Sequence, residues 1–130
     1  MVAPGADDPG SPAGMRLGFA VKVLAGGGLP SHDTRRWRSG PSLGVSLERL
    51  AAILDHLDAH GIRFYRMATA LAPYASHPEL VEFRDQPRRF AAELAAVGAR
   101  ARALGIRLTI HPGQYTVLNS TDPEVRRLAA

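Results

Sequence analysis

Two histidines stand at positions where this chain could hold a metal ion. His111 directly follows the apolar segment Arg107–Ile110, and His77 closes the loop after the apolar segment 62–67. Neutral imidazoles bind divalent metals, and a bound metal can activate water for hydrolysis. The two histidines are 34 positions apart (111 − 77 = 34), so only folding could bring them together. The alternative for each is a structural histidine, hydrogen-bonded beside a proline turn.

The residues after His111 suit contact with nucleic acid. Pro112 and Gly113 predict a tight turn, which would point Gln114 and Tyr115 away from the strand. A glutamine amide can occupy hydrogen bonds vacated by an extruded base, and a tyrosine ring can stack in place of that base. The alternative is a turn whose tyrosine packs on its own neighbours.

Two further histidines, His56 and His60, have the i, i+4 spacing with which a helix can grip a metal. They lie at the C-terminal end of a predicted helix, where histidine also complements the helix dipole. We therefore favour a structural role for this pair.

The long loop after the first apolar segment holds a glycine triplet at 26–28 and the cluster Arg-Arg-Trp-Arg at 35–38. The triplet is not followed by Gly-Lys-Ser/Thr or by a helix, which favours a flexible loop over a phosphate cradle. The cluster combines charge with an aromatic ring, which suits phosphate contact and base stacking. A solvated surface loop explains the cluster equally well.

Three apolar segments, at 17–23, 62–67 and 107–110, predict the strands that must position these residues. Arg16, Arg63 and Arg107 each open a strand, and the latter two follow Gly-Ile. The offsets are 47 (63 − 16) and 44 (107 − 63) residues, a length that suits one repeating strand–helix unit.

Two helical patterns lie between the strands. The first begins at Ser46, a good N-cap, and Gly61 is its expected C-cap. Its apolar face consists of Leu47, Leu50, Leu54 and Leu57. The second has Pro87 near its first turn and ends at Gly105. Its apolar stripe consists of Phe90, Leu94, Val97, Ala101 and Leu104.

A third helix is predicted after the last strand, because Thr121 and Glu124 are spaced as a capping box with Pro123 in the first turn. Strand–helix alternation predicts an α/β fold with parallel strands and right-handed crossovers. A (β/α)8 barrel of the TIM type needs about 250 residues, so we expect residues 15–130 to form only about its first three units, as a truncated barrel. A small doubly wound domain is the alternative, weakened by the missing glycine fingerprint.

Composition narrows the class of protein. The 130 residues are 45% hydrophobic and lack cysteine, which allows one domain with a core and excludes disulfides and thiolate zinc sites. No apolar run reaches the roughly 18 residues of a membrane span. Residues 1–14 are rich in Pro, Gly and Asp and should form a disordered extension, not a signal peptide. We expect a cytoplasmic protein.

The net charge is +4, from 16 Lys and Arg against 12 Asp and Glu. A basic balance favours polyanionic partners such as nucleic acid. An arginine bias from a GC-rich genome is the alternative explanation.

Four segments in this order resemble the UV damage endonuclease family (UvsE/UVDE). They are Arg-Leu-Gly-Phe at 16–19, Tyr-Arg-Met at 65–67, Pro-Tyr-Ala-Ser-His-Pro at 73–78 and His-Pro-Gly-Gln-Tyr at 111–115. The resemblance runs from about Met15 to the last residue. It implies a (β/α)8 barrel that resembles endonuclease IV, with a cluster of divalent metals, often manganese, bound by His, Asp and Glu. It also implies cleavage 5′ to UV photoproducts such as pyrimidine dimers and 6-4 products, which starts an alternative excision repair.

Carried over by position, the resemblance makes His77 and His111 metal ligands and makes Gln114 and Tyr115 the pair that probes the damaged duplex. UV-damaged double-stranded DNA is the implied partner, and a monomer is expected for the full-length enzyme. The ligands expected from later strands are absent, so the metal cluster cannot be completed here and the fragment alone should be inactive.

The first strand departs from the family pattern. Phe19, the expected lesion-probing residue of that strand, stands where some members have tyrosine, and Val23 stands where they have asparagine. Phenylalanine can stack on a base but cannot donate a hydrogen bond. Arg66, in the second strand, is a further candidate for phosphate contact.

Two other functions remain open. One is a metal-dependent sugar isomerase of the xylose-isomerase type on the same barrel. The other is a non-catalytic DNA-binding remnant.

Overall fold

The computed structural model describes residues 15–112 and 118–129. Its strands are β1 Gly18–Ala20, β2 Phe64–Met67 and β3 Arg107–Ile110. Its α-helices are α1 Leu43–Ala59, α2 Gln86–Arg89, α3 Ala91–Ala103 and α4 Pro123–Ala129. Single 3-10 turns lie at Ala25–Gly27, Trp37–Ser39 and Val81–Phe83. The extension predicted at 1–14 lies outside the described residues.

The strands form one parallel sheet in the order β1-β2-β3. Phe19 is paired with Tyr65, and Tyr65 with Leu108, so these three residues share one face of the sheet. Helices α1 and α3 lie in the two crossovers and contact each other. The predicted α/β class, the alternation of strand and helix and the parallel pairing are confirmed. Closure into an eight-stranded barrel stays a prediction. In the part of the chain that the structure describes, no helix has the length and apolar character needed to cross a membrane.

The core is built on α1. The predicted leucine face is confirmed, and two more α1 side chains join it; the buried set is Leu43, Leu47, Leu50, Ile53, Leu54 and Leu57. Tyr65, from the central strand, is fully buried in the same cluster, and its hydroxyl donates to the Val21 carbonyl oxygen at 2.9 Å. Burial raises the pKa of Tyr65 to about 12, so the phenol keeps its proton and this hydrogen bond at neutral pH.

The two Gly-Ile pairs end helices and start strands. After α1, the Gly61 N–H donates to the Asp58 carbonyl and the Ile62 N–H to the Leu57 carbonyl, at 3.1 and 2.9 Å. This pairing is a Schellman motif, and Gly61 adopts the positive φ of 67° that it requires. Gly105, with φ of 66°, and Ile106 repeat the motif after α3. The repeated Gly-Ile pair in the sequence therefore marks the same type of helix C-terminus in two places.

Helix α1 begins earlier than predicted. Ser46 was the expected N-cap, but it lies inside the helix, fully buried, and its hydroxyl accepts the Asp33 N–H at 2.9 Å. Ser42 is the N-cap, with an extended backbone and a hydroxyl that accepts the Val45 N–H at 3.2 Å. The prediction was wrong because a serine at either position fits the apolar period, and only the loop before α1 distinguishes them.

Other boundaries also differ from the predictions. Strand β1 ends at Ala20 because Val21 has a φ of 56°, which turns the chain out of the ladder. The second predicted helix is broken at Phe90, whose ring packs against Gly44 of α1. At α4, Asp122 caps in place of the predicted Thr121, since its carboxylate accepts the Glu124 N–H at 2.8 Å.

Two side chains from separate segments bind the N-terminus of α1. The Asp33 carboxylate accepts the Ser42 N–H at 3.0 Å, and the Gln86 carbonyl oxygen accepts the Leu43 N–H at 2.8 Å. The Gln86 amide nitrogen also donates to the Pro73 and Phe83 carbonyls, at 2.7 and 2.8 Å. Gln86 is fully buried, so one side chain joins α1 to the loop that follows β2.

The Asp33 carboxylate is held mainly by Arg35. Its two oxygens accept Arg35 Nε at 2.9 Å and Nη2 at 2.6 Å, a bidentate pair, besides the Ser42 N–H. The hydrogen bonds from Arg35 hold the pKa of Asp33 well below its usual range, against the opposing effect of burial. The loop before α1 is thereby fixed to the helix by a charged group.

We expect Gln86→Leu to lower the free energy of unfolding by about 2–4 kcal/mol. The substitution leaves the Leu43 N–H and the Pro73 and Phe83 carbonyls without their partner, and a buried unsatisfied polar group costs about 1–3 kcal/mol. Urea unfolding followed by circular dichroism measures the loss. Glu82→Gln, an exposed change in the same segment, is the control and should stay within about 0.5 kcal/mol. Equal stability of the two variants would contradict a role for Gln86 in the fold.

We expect Asp33 to make the fold sensitive to acid. Because its folded pKa lies below the unfolded value of about 3.9, its contribution is fully present above that pH and is lost as the pH falls toward the folded pKa. Asp33→Asn should therefore lower the stability at neutral pH and flatten its dependence on pH below about 4. Urea midpoints measured from pH 7 down to acid test this. Parallel curves for the variant and the unmodified chain would refute it.

Candidate functional site

The loops after β2 and β3 lie side by side at the carboxyl edge of the sheet. Met67 is paired with Ile110 at the last position of the two strands, so the segments that follow leave the sheet as neighbours. The Thr69 hydroxyl donates to the His111 carbonyl oxygen at 3.1 Å and joins the two segments directly. In parallel α/β folds this edge is where binding and catalytic groups collect.

At this edge His111 presents a ring nitrogen, Nε2, for which no hydrogen-bond partner lies among the described residues. Its Nδ1 lies 2.7 Å from the Pro112 carbonyl oxygen. A carbonyl can only accept, so Nδ1 carries the proton and the lone pair of the neutral ring is on Nε2. The side chain is exposed. Metal-binding histidines are commonly fixed in this way, with the second nitrogen donating to a backbone carbonyl.

His77 has the opposite arrangement. Its Nδ1 accepts the Glu79 N–H at 3.2 Å, so the proton of the neutral ring is on Nε2. The loop is shaped by Tyr74, whose carbonyl accepts the His77 N–H at 3.0 Å and whose ring packs on Phe83 with centroids 5.4 Å apart. Before His77 could bind a metal through Nε2, the ring would have to release the Glu79 N–H and move its proton to Nδ1.

The described residues do not complete a metal site by themselves. Across 15–112 and 118–129, no three His, Asp or Glu side chains lie close enough together to share an ion. The metal-binding role of His77 and His111 stays a prediction. Gln114 and Tyr115, the predicted lesion-probing pair, lie outside the described residues.

Arg66 and Phe19 lie on opposite faces of the sheet. Arg66 alternates with the buried Tyr65, is exposed, and has no carboxylate within salt-bridge distance among the described residues. It borders a shallow groove that is also lined by Gly18, Phe19, Ala20 and Phe64. Its contact with phosphate stays a prediction.

Phe19 is half-buried, and its ring meets Tyr65 edge-on with centroids 5.6 Å apart. The structure thus uses Phe19 in packing on the helix side of the sheet. Its predicted role as a lesion probe stays a prediction. The glycine at position 18, beside Phe19, is required by packing. A Cβ there would lie 1.9 Å from the Phe64 carbonyl oxygen, so only glycine allows β1 to approach β2 this closely.

The remaining histidines serve the scaffold. His56 and His60 stack with ring centroids 4.2 Å apart, and His60 Nδ1 donates to the His56 carbonyl at 2.8 Å, at the end of α1. This agrees with the structural role that we favoured. His32, in the loop before α1, is part-buried, and burial followed by the nearby Arg49 lowers its pKa.

Sequence reasoning missed Gln86 and Thr69, the residues that tie the loops of this edge together. Leu43 lies 43 positions from Gln86, and His111 lies 42 positions from Thr69. A lone glutamine or threonine gives no periodic or motif signal. Only the folded arrangement reveals them.

Comparisons with known proteins identify the relatives of this chain. Residues 43–130 match the model of a family described as UV-endonuclease UvdE. A UV DNA damage endonuclease of Bacillus mycoides is 36% identical over 80 residues, which are 62% of this chain and 25% of that protein. A UV-damage endonuclease of Neurospora crassa is 46% identical over 69 residues, 52% of this chain and 10% of that protein.

A solved structure extends the likeness to the fold. The crystal structure of SacUVDE superposes with a TM-score of 0.73 at 29% identity and covers 88% of this chain and 41% of that one. The chain therefore spans about a quarter of the length of the bacterial relative and less than half of the solved structure.

We expect the two candidate ligands to differ in tautomer in solution. When their rings are neutral, His111 should carry its proton on Nδ1 and His77 on Nε2, because their Nδ1 atoms face a carbonyl and an N–H, respectively. Long-range proton–nitrogen NMR of the imidazoles distinguishes the two forms, and His77→Gln and His111→Gln assign the signals. A protonated Nε2 in neutral His111 would contradict the arrangement.

Proposed function

Since this chain belongs to the UV-endonuclease UvdE family, we propose that it acts in the metal-dependent incision of UV-damaged duplex DNA. The observation that carries the proposal is the family match over 43–130, which spans both loops of the carboxyl edge. His111 supports it, because the hydrogen bond from its Nδ1 to the Pro112 carbonyl fixes the ring at that edge and leaves the lone pair on Nε2. The cut is proposed to fall 5′ to UV photoproducts such as pyrimidine dimers and 6-4 products, at the start of excision repair.

His111 and His77 are the proposed metal ligands of this chain. Imidazole is a common ligand of divalent transition metals; manganese is our proposal, and it would need carboxylate ligands beside the two histidines. His111 needs no rearrangement, whereas His77 must exchange its Glu79 contact for the ion. Bound metal would activate water and offset the charge that develops on phosphate. We propose that the remaining ligands come from segments of the full-length enzyme outside the part that this chain covers.

Gln114 and Tyr115 are the proposed lesion probes. The amide would take up hydrogen bonds left by extruded bases, and the ring would stack in the gap. Damaged, poorly stacked bases cost less to extrude, so such a pair would select lesions by their deformability. Arg66 is proposed to contact phosphate in the groove beside β1, and Phe19 to contribute from the first strand.

Family membership argues against the sugar-isomerase alternative. No described residue favours a carbohydrate substrate, and the relatives that the comparisons name are endonucleases. A non-catalytic DNA-binding role is an outcome of the experiment below. The cytoplasmic location and the monomeric state expected from the sequence stay predictions.

We expect a chimera, in which residues 15–130 replace the matching part of the Bacillus mycoides enzyme, to incise UV-irradiated duplex DNA in the presence of manganese. Within it, His111→Ala should lower incision by more than about 100-fold, because loss of a ligand should exceed the 10–100-fold cost of losing a ligand's support. Gln114→Ala with Tyr115→Ala should reduce the preference for irradiated over intact DNA by about tenfold or more, since base extrusion costs a few kcal/mol. Arg102→Gln on α3 is the charge control.

The chimera separates the possible functions. Incision that is unaffected by His111→Ala would remove the metal-ligand assignment. A folded chimera that binds DNA but never incises it would favour the non-catalytic alternative. A folded chimera without any preference for irradiated DNA would overturn the proposed substrate.

A further inference from the structure

The loop between β1 and α1 carries an exposed aromatic ring between two arginines. Trp37 is 43% exposed, and the Arg38 guanidinium lies 5.0 Å from its ring centroid. Arg36, on the other side, is exposed as well. An indole that is held open to solvent beside cations is unusual for a packing residue and offers a flat face together with positive charge.

The charges of Arg36 and Arg38 are not neutralised by any acidic side chain in the described part of the chain. Among the described residues, neither has a carboxylate within salt-bridge distance, whereas the neighbouring Arg35 is paired with Asp33 at 2.6 Å. The loop thus separates its arginines into one that anchors it and two that face solvent. Two free cations beside one aromatic face match the combination that binds single-stranded nucleic acid, where phosphates meet cations and bases stack on rings.

Hydrogen bonds fix the end of this loop that carries Trp37. The Gly40 N–H donates to the Trp37 carbonyl at 3.1 Å, and Gly40 adopts the left-handed conformation that closes this turn. Two residues further, the Ser42 N–H is bound by the Asp33 carboxylate. A fixed ring loses little conformational entropy when a ligand stacks on it, which favours binding.

The loop also lies at the same edge of the sheet as the candidate site. It connects the carboxyl end of β1 to the start of α1, and the start of α1 is bound through Gln86 to Pro73, in the loop that carries His77. A nucleic acid on the two histidines would therefore approach Trp37 from the same side.

We propose that Trp37, with Arg36 and Arg38, is a second DNA contact of this chain, which stacks a base or unpaired nucleotide of the substrate while the arginines bind the adjoining phosphates. The proposal rests on the proposed function for its substrate class, DNA. It assigns the contact to residues other than the metal ligands and the lesion probes.

The test uses the 130-residue chain, in which Trp37 is the sole tryptophan. Titration with a labelled oligothymidylate of about ten nucleotides gives two signals, the anisotropy of the oligonucleotide and the fluorescence of Trp37. Stacking should quench the indole along the same binding curve. Trp37→Ala should weaken binding roughly tenfold or more, the lower part of the range for one stacked base, and Trp37→Phe should recover part of the loss.

The arginines are tested through salt. Arg36→Gln and Arg38→Gln should each lower the slope of log affinity against log salt by roughly 0.7, the value for one phosphate contact on a single strand. Arg102→Gln removes the same charge from the exposed surface of α3 and should leave both slope and quenching unchanged. Circular dichroism checks that every variant keeps its helices.

The outcomes distinguish this inference from the proposed function. DNA binding with unquenched Trp37, and with Trp37→Ala equal to Arg102→Gln, overturns the second contact and leaves the proposed function standing, as expected if the ring instead meets a protein partner. Absence of any oligothymidylate binding by the unmodified chain overturns the second contact, and the chimera then decides the proposed function separately. Quenching and weakened binding in Trp37→Ala support the second contact, whatever preference the chimera has for irradiated DNA.

Discussion

Free backbone N–H groups at the start of α1 impose the constraint around which this structure is arranged. A helix begins with N–H groups that have no partner inside it, and here the first turn lies against the core. The partners come from outside the helix: Asp33 binds the Ser42 N–H and Gln86 binds the Leu43 N–H. The same two hydrogen bonds cap the helix and fix the two long connections, the one between β1 and α1 and the one after β2.

The loops after β2 and β3 are also held by side chains from elsewhere in the chain, and the candidate metal-binding and phosphate-binding side chains take no part in holding them. Gln86 reaches the Pro73 carbonyl and Thr69 reaches the His111 carbonyl, so both loops are tied through backbone oxygens. In the loops after β2 and β3, uncharged side chains hold the backbone, and the imidazole of His111 and the guanidinium of Arg66 remain exposed. A site built in this way can change its contacts with a ligand while its frame stays fixed.

Much of the frame could be predicted from the sequence because its signals are local. The Gly-Ile pairs located both helix stops, since a glycine at that position needs a left-handed backbone and the following isoleucine enters the core. The leucine period of α1 and the bounds of β3 were correct for the same reason. The start of α1 was wrong because Ser42 and Ser46 carry the same local signal, and the difference depends on Asp33, nine positions before one and thirteen before the other.

Less of the candidate site than of the fold could be predicted, because the hydrogen-bond partners of a side chain depend on contacts that sequence spacing does not encode. His77 and His111 look alike in sequence, because each is followed by a proline. In the structure, however, Nδ1 of His77 accepts a backbone N–H, whereas Nδ1 of His111 donates to a backbone carbonyl. That difference makes His111 ready to donate a lone pair and makes His77 dependent on a change of partner. If the two bind one ion, His111 is the ligand that fixes its position, and the loop of His77 is the part that adapts.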